Sequence, residues 1–266
     1  MRELERDLPD IAGAGAEASA IPKLALIGRG RIGGAIARAG TGADLDLAQG
    51  GRGDALDACA DAGAALLCVP DGVIGDACDE IAAAIPPLRL VGHTSGATGL
   101  DVLAPATARG AEAFSLHPLQ TVPDQRTDLT SAPCAVAGSS PAAVAFATKL
   151  AQALGMRPFE VPEDRRAAYH AAASIASNFL VALQESAAGL LAEAGIEDAR
   201  ELLAPLVLRT AANWAERGSD ALTGPIARGD EATVQAHLAA LREHAPELEP
   251  LYEALAERTR SLAAGR

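Results

Sequence analysis

Residues 21–162 alternate short apolar runs with stretches of helical periodicity, the pattern of a parallel sheet joined by crossover helices. Residues 23–27 (KLALI) predict a buried strand, and residues 32–39 the helix after it. Residues 43–48 (ADLDLA) alternate polar and apolar positions, as a half-exposed strand does. A helix follows over 54–62, a strand over 64–69 stopped by Pro70, a helix over 73–84, a strand over 89–92 and a short helix over 100–106. Residues 113–116, 134–137 and 158–161 read as further strands, with a helix over 142–154 between the last two.

After Pro162 the period changes. The run from 163 to about 195 contains no proline, and its internal glycine, Gly189, lies near the end. It predicts one helix far longer than the usual 11 or 12 residues. Because it is apolar around much of its circumference, it should be buried between neighbours. Helices over 199–217, 231–244 and 247–262 follow, the first two separated by a loop, LTGPIARGD, whose Asp230 can cap the next helix through Thr233. The fold class predicted is therefore α/β, an N-terminal Rossmann dinucleotide-binding domain over 21–162 followed by an all-helical domain over 163–266. Residues 1–20, charged and then rich in Gly and Ala, read as a flexible arm and not as a secretory signal.

Composition narrows the partners. The net charge of −13 argues against nucleic acid or an anionic membrane, both of which require clustered Lys and Arg. No apolar run approaches the roughly 18 charge-free residues of a membrane span. The four cysteines, Cys59, Cys68, Cys78 and Cys134, have no metal-ligand spacing. They read as reduced thiols of a cytoplasmic protein without a metal site.

The chemistry starts at LALIGRGRIGG, where Gly28, Gly30 and Gly33 keep the G-x-G-x-x-G spacing between a strand and a helix. Gly28 permits the tight turn, Gly30 the approach of a pyrophosphate, and Gly33 close packing of helix on sheet. The phosphates then meet the free N–H groups and positive end of the helix that Arg31 and Ile32 begin. The same spacing also serves a tight turn that binds nothing. Arg29 and Arg31 in the loop, and Gln49 and Arg52 after the second strand, suit the 2′-phosphate of NADP. Asp46 stands near the position that selects NAD, the alternative cofactor.

Polar residues gather where strands end, the place for ligands in an open sheet. Val69, Pro70 and Asp71 should pass the cofactor's ribose. The turn His93–Thr94–Ser95–Gly96–Ala97 offers hydroxyls and amides to a substrate, with His93 itself read as a partly buried turn residue before a catalytic one. His117 begins a loop reaching about Ala132, long enough to suggest a function. On the long helix, His170, Ser174 and Asn178 are spaced i, i+4, i+8 and fall on one face. Asn213, with Thr210 before it, and Arg228, as anchor for a substrate carboxylate, complete the candidates.

Taken in order, GRGRIG, VPD, HTSGA, SLHPLQT, YHAAASIASNFL and LTGPIARGD resemble the bacterial Rossmann-like oxidoreductases that carry a C-terminal helical domain of unknown function. That group is similar to the 6-phosphogluconate, 3-hydroxyisobutyrate and ketopantoate reductase superfamily, and to pyrroline-5-carboxylate and prephenate enzymes. The resemblance implies a parallel sheet, a cleft between two domains, a small-molecule substrate and a homodimer formed through the helices. It makes reduction of a 2-oxo acid such as 2-dehydropantoate the first expectation. Imine reduction, prephenate-type oxidation and non-catalytic NADP sensing are the alternatives. In the hydroxyacid dehydrogenases and ketopantoate reductases a catalytic Lys precedes an Asn by four residues on the first helix of the second domain. With Asn178 as that Asn, the Lys position holds Ser174. His170, one turn earlier, is then the nearest proton donor and His117 the second, since imidazole ordinarily titrates near 6.5. Asn178 would orient the carbonyl, and Ser95 and Gly96 would hold polar substrate atoms.

Overall fold

The computed structural model describes residues 21–265; the arm expected over 1–20 lies outside the described residues. The chain forms two compact units, one extending to Ala172 and the other Ala173–Arg266.

In the first unit, seven strands form one sheet: β1 Leu24–Ile27, β2 Leu47–Gly50, β3 Ala64–Leu67, β4 Leu90–His93, β5 Glu112–Pro118, β6 Pro133–Gly138 and β7 Arg157–Glu160. Their order is β2-β1-β3-β4-β5-β6-β7. The first five run parallel and are linked by α1 (Arg31–Gly42), α2 (Ala55–Ala58), α3 (Ile74–Ala82) and α4 (Ala104–Thr107). Alternate residues of one strand face opposite layers. Leu24 and Leu26 pack in a core with Ile36 of α1 and with Leu150 of α5 (Pro141–Ala153). Ala25 and Ile27 pack in a second core with Ile74 and Ile81 of α3. Each fully buried Leu or Ile contributes about 1.5–3 kcal/mol, so both faces are strongly held. Ser140 caps α5 by accepting from the Ala143 N–H, with Pro141 opening the helix.

Three details differ from the sequence reading. β2 begins at Leu47, not at residue 43, because α1 continues through Gly40 and closes only at Gly42. Asp46 therefore stands at the start of β2, where its carbonyl accepts from the Leu24 N–H. The NAD-selecting position expected for it is at the other end of the strand. Second, β6 runs antiparallel to β5, since residues 119–132 connect them with no crossover helix. Third, the helix expected over 54–62 is only the short α2.

After a 3-10 turn at Glu163–Arg165, α6 spans Arg166–Ala176. Ser177, at φ −119° and ψ −75°, interrupts the helix, and α7 (Asn178–Glu193) starts anew. The single helix expected over 163–195 is thus two. The second unit adds α8 (Ala199–Arg217), α9 (Gly224–Arg228), α10 (Glu231–His244) and α11 (Glu249–Ala264). The segment expected as a plain loop contains α9, and Asp230 caps α10 by accepting from the Thr233 N–H at 3.1 Å.

Val234, Leu238 and Leu241 of α10 and Ala256 of α11 are buried, while α7 and α8 bury no side chain. Phe179 is 56% exposed and Trp214 66%. The burial expected for the long helix does not occur among the described residues: between 163 and 193 only Arg166 is buried, and no neighbouring helix of this chain buries the remaining apolar side chains. Glu163–Glu193 is also long and apolar enough by composition to cross a membrane. This corrects the expectation that no such stretch exists: Ala, Ser, His and Asn interrupt the apolar run without adding charge.

Candidate functional site

The first part of the site follows from β1 ending in glycine. Gly28 has φ +125°, and a Cβ there would lie 2.3 Å from the Cys68 carbonyl oxygen just after β3. A Cβ on Gly33 would lie 2.1 Å from the Gly28 oxygen, so α1 sits directly on the strand end. Gly30, which precedes α1, differs: a Cβ there meets nothing within 4 Å. The N-terminus of α1 is therefore packed on its sheet side and open at Gly30, with Arg31 exposed and Ile32 half-buried beside it. The crevice between β1 and β3, where strand order reverses, is the ligand position of doubly wound sheets. Val69, Pro70 and Asp71 follow β3 into the same region, Asp71 opening a short 3-10 turn.

Arg29 reaches the tip of β2. Its guanidinium pairs with the Asp54 carboxylate and donates to the Gln49 carbonyl at 3.3 Å. Hydrogen bonding to Arg29, then to the Gly51 N–H, holds the Asp54 carboxyl below its usual range. Residues 49–53 at the tip carry no carboxylate, and Arg52 among them is exposed. The long loop after β5 braces this corner: the Gln125 amide donates to the Arg29 carbonyl at 2.8 Å.

The second part lies at the carboxyl ends of β4 and β5, where His93 pairs in register with Ser115. Arg166, 4% exposed at the start of α6, joins three pieces of chain there. It donates to the Ser115 Oγ at 2.7 Å, to the Ser95 carbonyl at 3.3 Å and to Glu163 at 2.6 Å. Residues three and four positions later share its helix face. Tyr169 Oη lies 2.7 Å from His117 Nδ1, and the two rings meet edge to face with centroids 5.6 Å apart. The His170 ring is 6.1 Å from that of His117. Both imidazoles lie over Gly96, where a Cβ would fall 2.8 Å from His117 Nε2 and 2.8 Å from His170 Cδ2. Glycine at 96 is what lets the two rings approach the turn.

Burial, then His170 and Arg166, press His117 down to about 4, with Asp71 opposing. Burial and then Arg166 lower His93 to about 4. Burial raises the Tyr169 phenol to about 12. At neutral pH, His93 and His117 are thus uncharged and Tyr169 keeps its proton. His93 Nε2 meets the Gly99 carbonyl at 3.3 Å, while its Nδ1 is buried with no partner among the described residues.

Sequence reasoning brought His117, His170 and Gly96 to one place. It misassigned Ser95, whose hydroxyl accepts from the Ala97 and Thr98 N–H groups and donates to Thr98. That hydroxyl and those amides serve the turn itself, not a substrate. Arg166 and Tyr169 were missed, although their i, i+3 spacing ahead of His170 was the available signal. Ser174 lies on α6 and is half-buried, and Asn178 opens α7 exposed to solvent. Asn213 on α8 is half-buried and Arg228 at the end of α9 is exposed, both in the second unit. Among the described residues no group of His, Cys, Asp or Glu is placed to hold a metal. A cavity of about 730 Å³ lies at the opposite edge of the sheet, lined by Ile21, Leu90, Glu112 and Phe146, away from this chemistry.

The parallel strands, the glycine corner at their reversal point and the helices that follow define a Rossmann-like protein with a helical C-terminal unit. Family models match both parts: residues 43–118 are similar to the Rossmann-like domain, and residues 132–259 to a domain of unknown function, DUF2520. The second match takes in β6 and β7 as well as the helices. No curated protein matches the chain in sequence. Among solved structures, BF3122 of Bacteroides fragilis, described as an NADP oxidoreductase, is 23% identical with a TM-score of 0.75, over 90% of this chain and 98% of its own. TM1727 of Thermotoga maritima is 21% identical with a TM-score of 0.70, over 91% and 98%. The reductive aminase of Aspergillus terreus, in complex with NADPH and ethyl-5-oxohexanoate, is 18% identical with a TM-score of 0.65, over 92% and 98%. At these identities the likeness is one of fold.

Proposed function

We propose that this chain is an NADPH-dependent oxidoreductase that reduces a small 2-oxo acid, with 2-dehydropantoate the first candidate. The observation that carries the reading is the pair of imidazoles, His117 and His170, over Gly96 at the same sheet edge as the open glycine corner.

The corner fits a dinucleotide, because Gly30 leaves room for backbone approach where α1 presents its N–H groups. Gly30 admits the pyrophosphate at the corner that Gly28 and Gly33 shape, and Arg29, Arg31 and Arg52 meet the 2′-phosphate. Val69, Pro70 and Asp71 line the ribose. When bound, the nicotinamide supplies a hydride. His170 gives the proton to the substrate oxygen, since His117, pressed down to about 4, is not a cationic acid at pH 7. Ser174, Asn178, Asn213 and Arg228 are further candidates for substrate contact, each on the helical unit. NADP-linked oxidoreductase neighbours of the same fold support this choice of cofactor and reaction class.

Two further features belong to the reading. The apolar side chains on α7 and α8 are covered by a second copy, making a homodimer. The protein works in the cytoplasm, where its four buried free cysteines stay reduced.

The direct test mixes purified protein with NADPH and a panel of 2-oxo acids that includes 2-dehydropantoate. Loss of nicotinamide absorbance, abolished in His170→Ala, is the expected result. Absorbance unchanged across the panel rejects the reading. Imine reduction is the second reading, supported by the shared fold with a reductive aminase.

A further inference from the structure

We infer that Tyr169 fixes His117 as a neutral N–H donor, and that this donor makes the site select a carbonyl oxygen over an iminium cation. The inference rests on the reductase reading above and decides its substrate class.

The geometry begins with the 2.7 Å contact between Tyr169 Oη and His117 Nδ1. A neutral imidazole has one donor and one acceptor nitrogen. The phenol is the stronger acid of the two N–H and O–H groups, and the imidazole nitrogen the stronger base, so Tyr169 donates and Nδ1 accepts. The ring proton is therefore on Nε2. Edge-to-face packing holds this arrangement from both sides, with Phe159 6.0 Å from the Tyr169 ring and Tyr169 5.6 Å from that of His117. Nε2 looks onto Gly96 beside the His170 ring and has no hydrogen bond among the described residues. The site thus presents a fixed donor, next to the residue that supplies the proton.

A ketone or aldehyde oxygen accepts from such a donor. A protonated imine has no lone pair on nitrogen, and its N–H requires an acceptor instead. Of the carboxylates around the site, Glu163 is occupied by Arg166, which leaves Asp71. The charged and titratable groups acting on His117 are His170, Arg166 and His93, which oppose a positive charge, and Asp71, which favours one. The balance disfavours an additional positive charge on the substrate over Gly96 and favours an oxygen that gathers negative charge in the transition state.

The reduction balances as follows. NADPH, when bound, would supply a hydride and its two electrons to the carbonyl carbon, making the new C–H bond. The C=O π pair moves to oxygen, which takes a proton from His170 while His117 Nε2–H remains hydrogen-bonded to it. The products are an alcohol and NADP⁺, and His170 regains its proton from water.

The test uses full-length protein labelled with ¹⁵N-histidine, with His117→Gln to assign the His117 signals. Ring-nitrogen NMR of the wild type at neutral pH should show the proton on Nε2, and Tyr169→Phe should mix the two tautomers. A wild-type proton on Nδ1, or a cationic His117 at pH 7, overturns the inference whether or not the variant folds. In a second arm, NADPH oxidation is followed with 2-dehydropantoate and with the cyclic imine 1-pyrroline-2-carboxylate. The oxo acid should have at least tenfold higher kcat/KM, and Tyr169→Phe should raise its KM about tenfold with a smaller change in kcat, the size of one weakened hydrogen bond. Faster turnover of the imine overturns the selection. Turnover of neither compound overturns the reductase reading and the selection with it, while the tautomer measurement stands by itself.

Discussion

The Gly28 carbonyl oxygen lies where a Cβ on Gly33 would meet it at 2.1 Å, so helix α1 is seated on the end of β1 with no room for a methyl group. Gly30, three residues earlier, faces open space. The two glycines should therefore separate by experiment. Gly33→Ala should lose about 1–3 kcal/mol or more to overpacking, seen as a lower urea midpoint. Gly30→Ala should keep its stability within about 1 kcal/mol and lose NADPH binding in calorimetry. Normal binding by the Gly30 variant would mean that phosphate does not approach there.

Cofactor choice should be read at the tip of β2. Residues 49–53 offer no carboxylate to ribose hydroxyls, while Arg52 and the Asp54-paired Arg29 bring positive charge. Removing one charge-assisted contact is worth roughly 1.5–3 kcal/mol. Arg52→Ala should then weaken NADPH about tenfold to a hundredfold and leave NADH unchanged. Fluorescence titration with both cofactors measures this, and equal losses for both would place the 2′-phosphate elsewhere.

Acid should loosen the sheet through His93. This residue is fully buried, and burial holds it down to about 4, below its ordinary 6.5. A group whose folded value is depressed binds protons more readily when unfolded, so its stability is fully present above 6.5 and is lost as pH falls through 4. The window is worth roughly 3 kcal/mol, and His117 adds to it in the same direction. Thermal midpoints should fall between pH 6.5 and 4.5, and less steeply in His93→Gln. An equal slope in that variant would exclude His93 as the source.

The exposed faces of α7 and α8 should form an interface between two copies. Stable interfaces bury about 1,600 Å² in total, and Phe179 and Trp214 offer large apolar side chains to one. Sedimentation should give a dimer for the wild type at micromolar concentration. Trp214→Glu should shift it toward monomer and lower its unfolding midpoint. A monomeric wild type ends the proposal.

How much of this was readable beforehand differs by residue. The glycine corner was legible because strand, turn and helix are contiguous and their spacing is itself the geometry. The start of β2 was not, because Gly40 and Gly42 resemble a helix stop yet lie inside α1. Ser95 looked free for a ligand, since a hydroxyl in a small-residue turn gives no sign that the turn itself will use it.

Local pattern alone determined the order of strands and helices, the glycine corner and the change to an all-helical second part, because periods of two and of 3.6 residues are properties of neighbouring positions. Only tertiary structure decided the chemistry over Gly96. Tyr169 meets His117 across 52 residues, and Arg166 meets Ser115 across 51. The proton positions and charges of the histidines depend on burial and on groups that chain folding alone brings within reach.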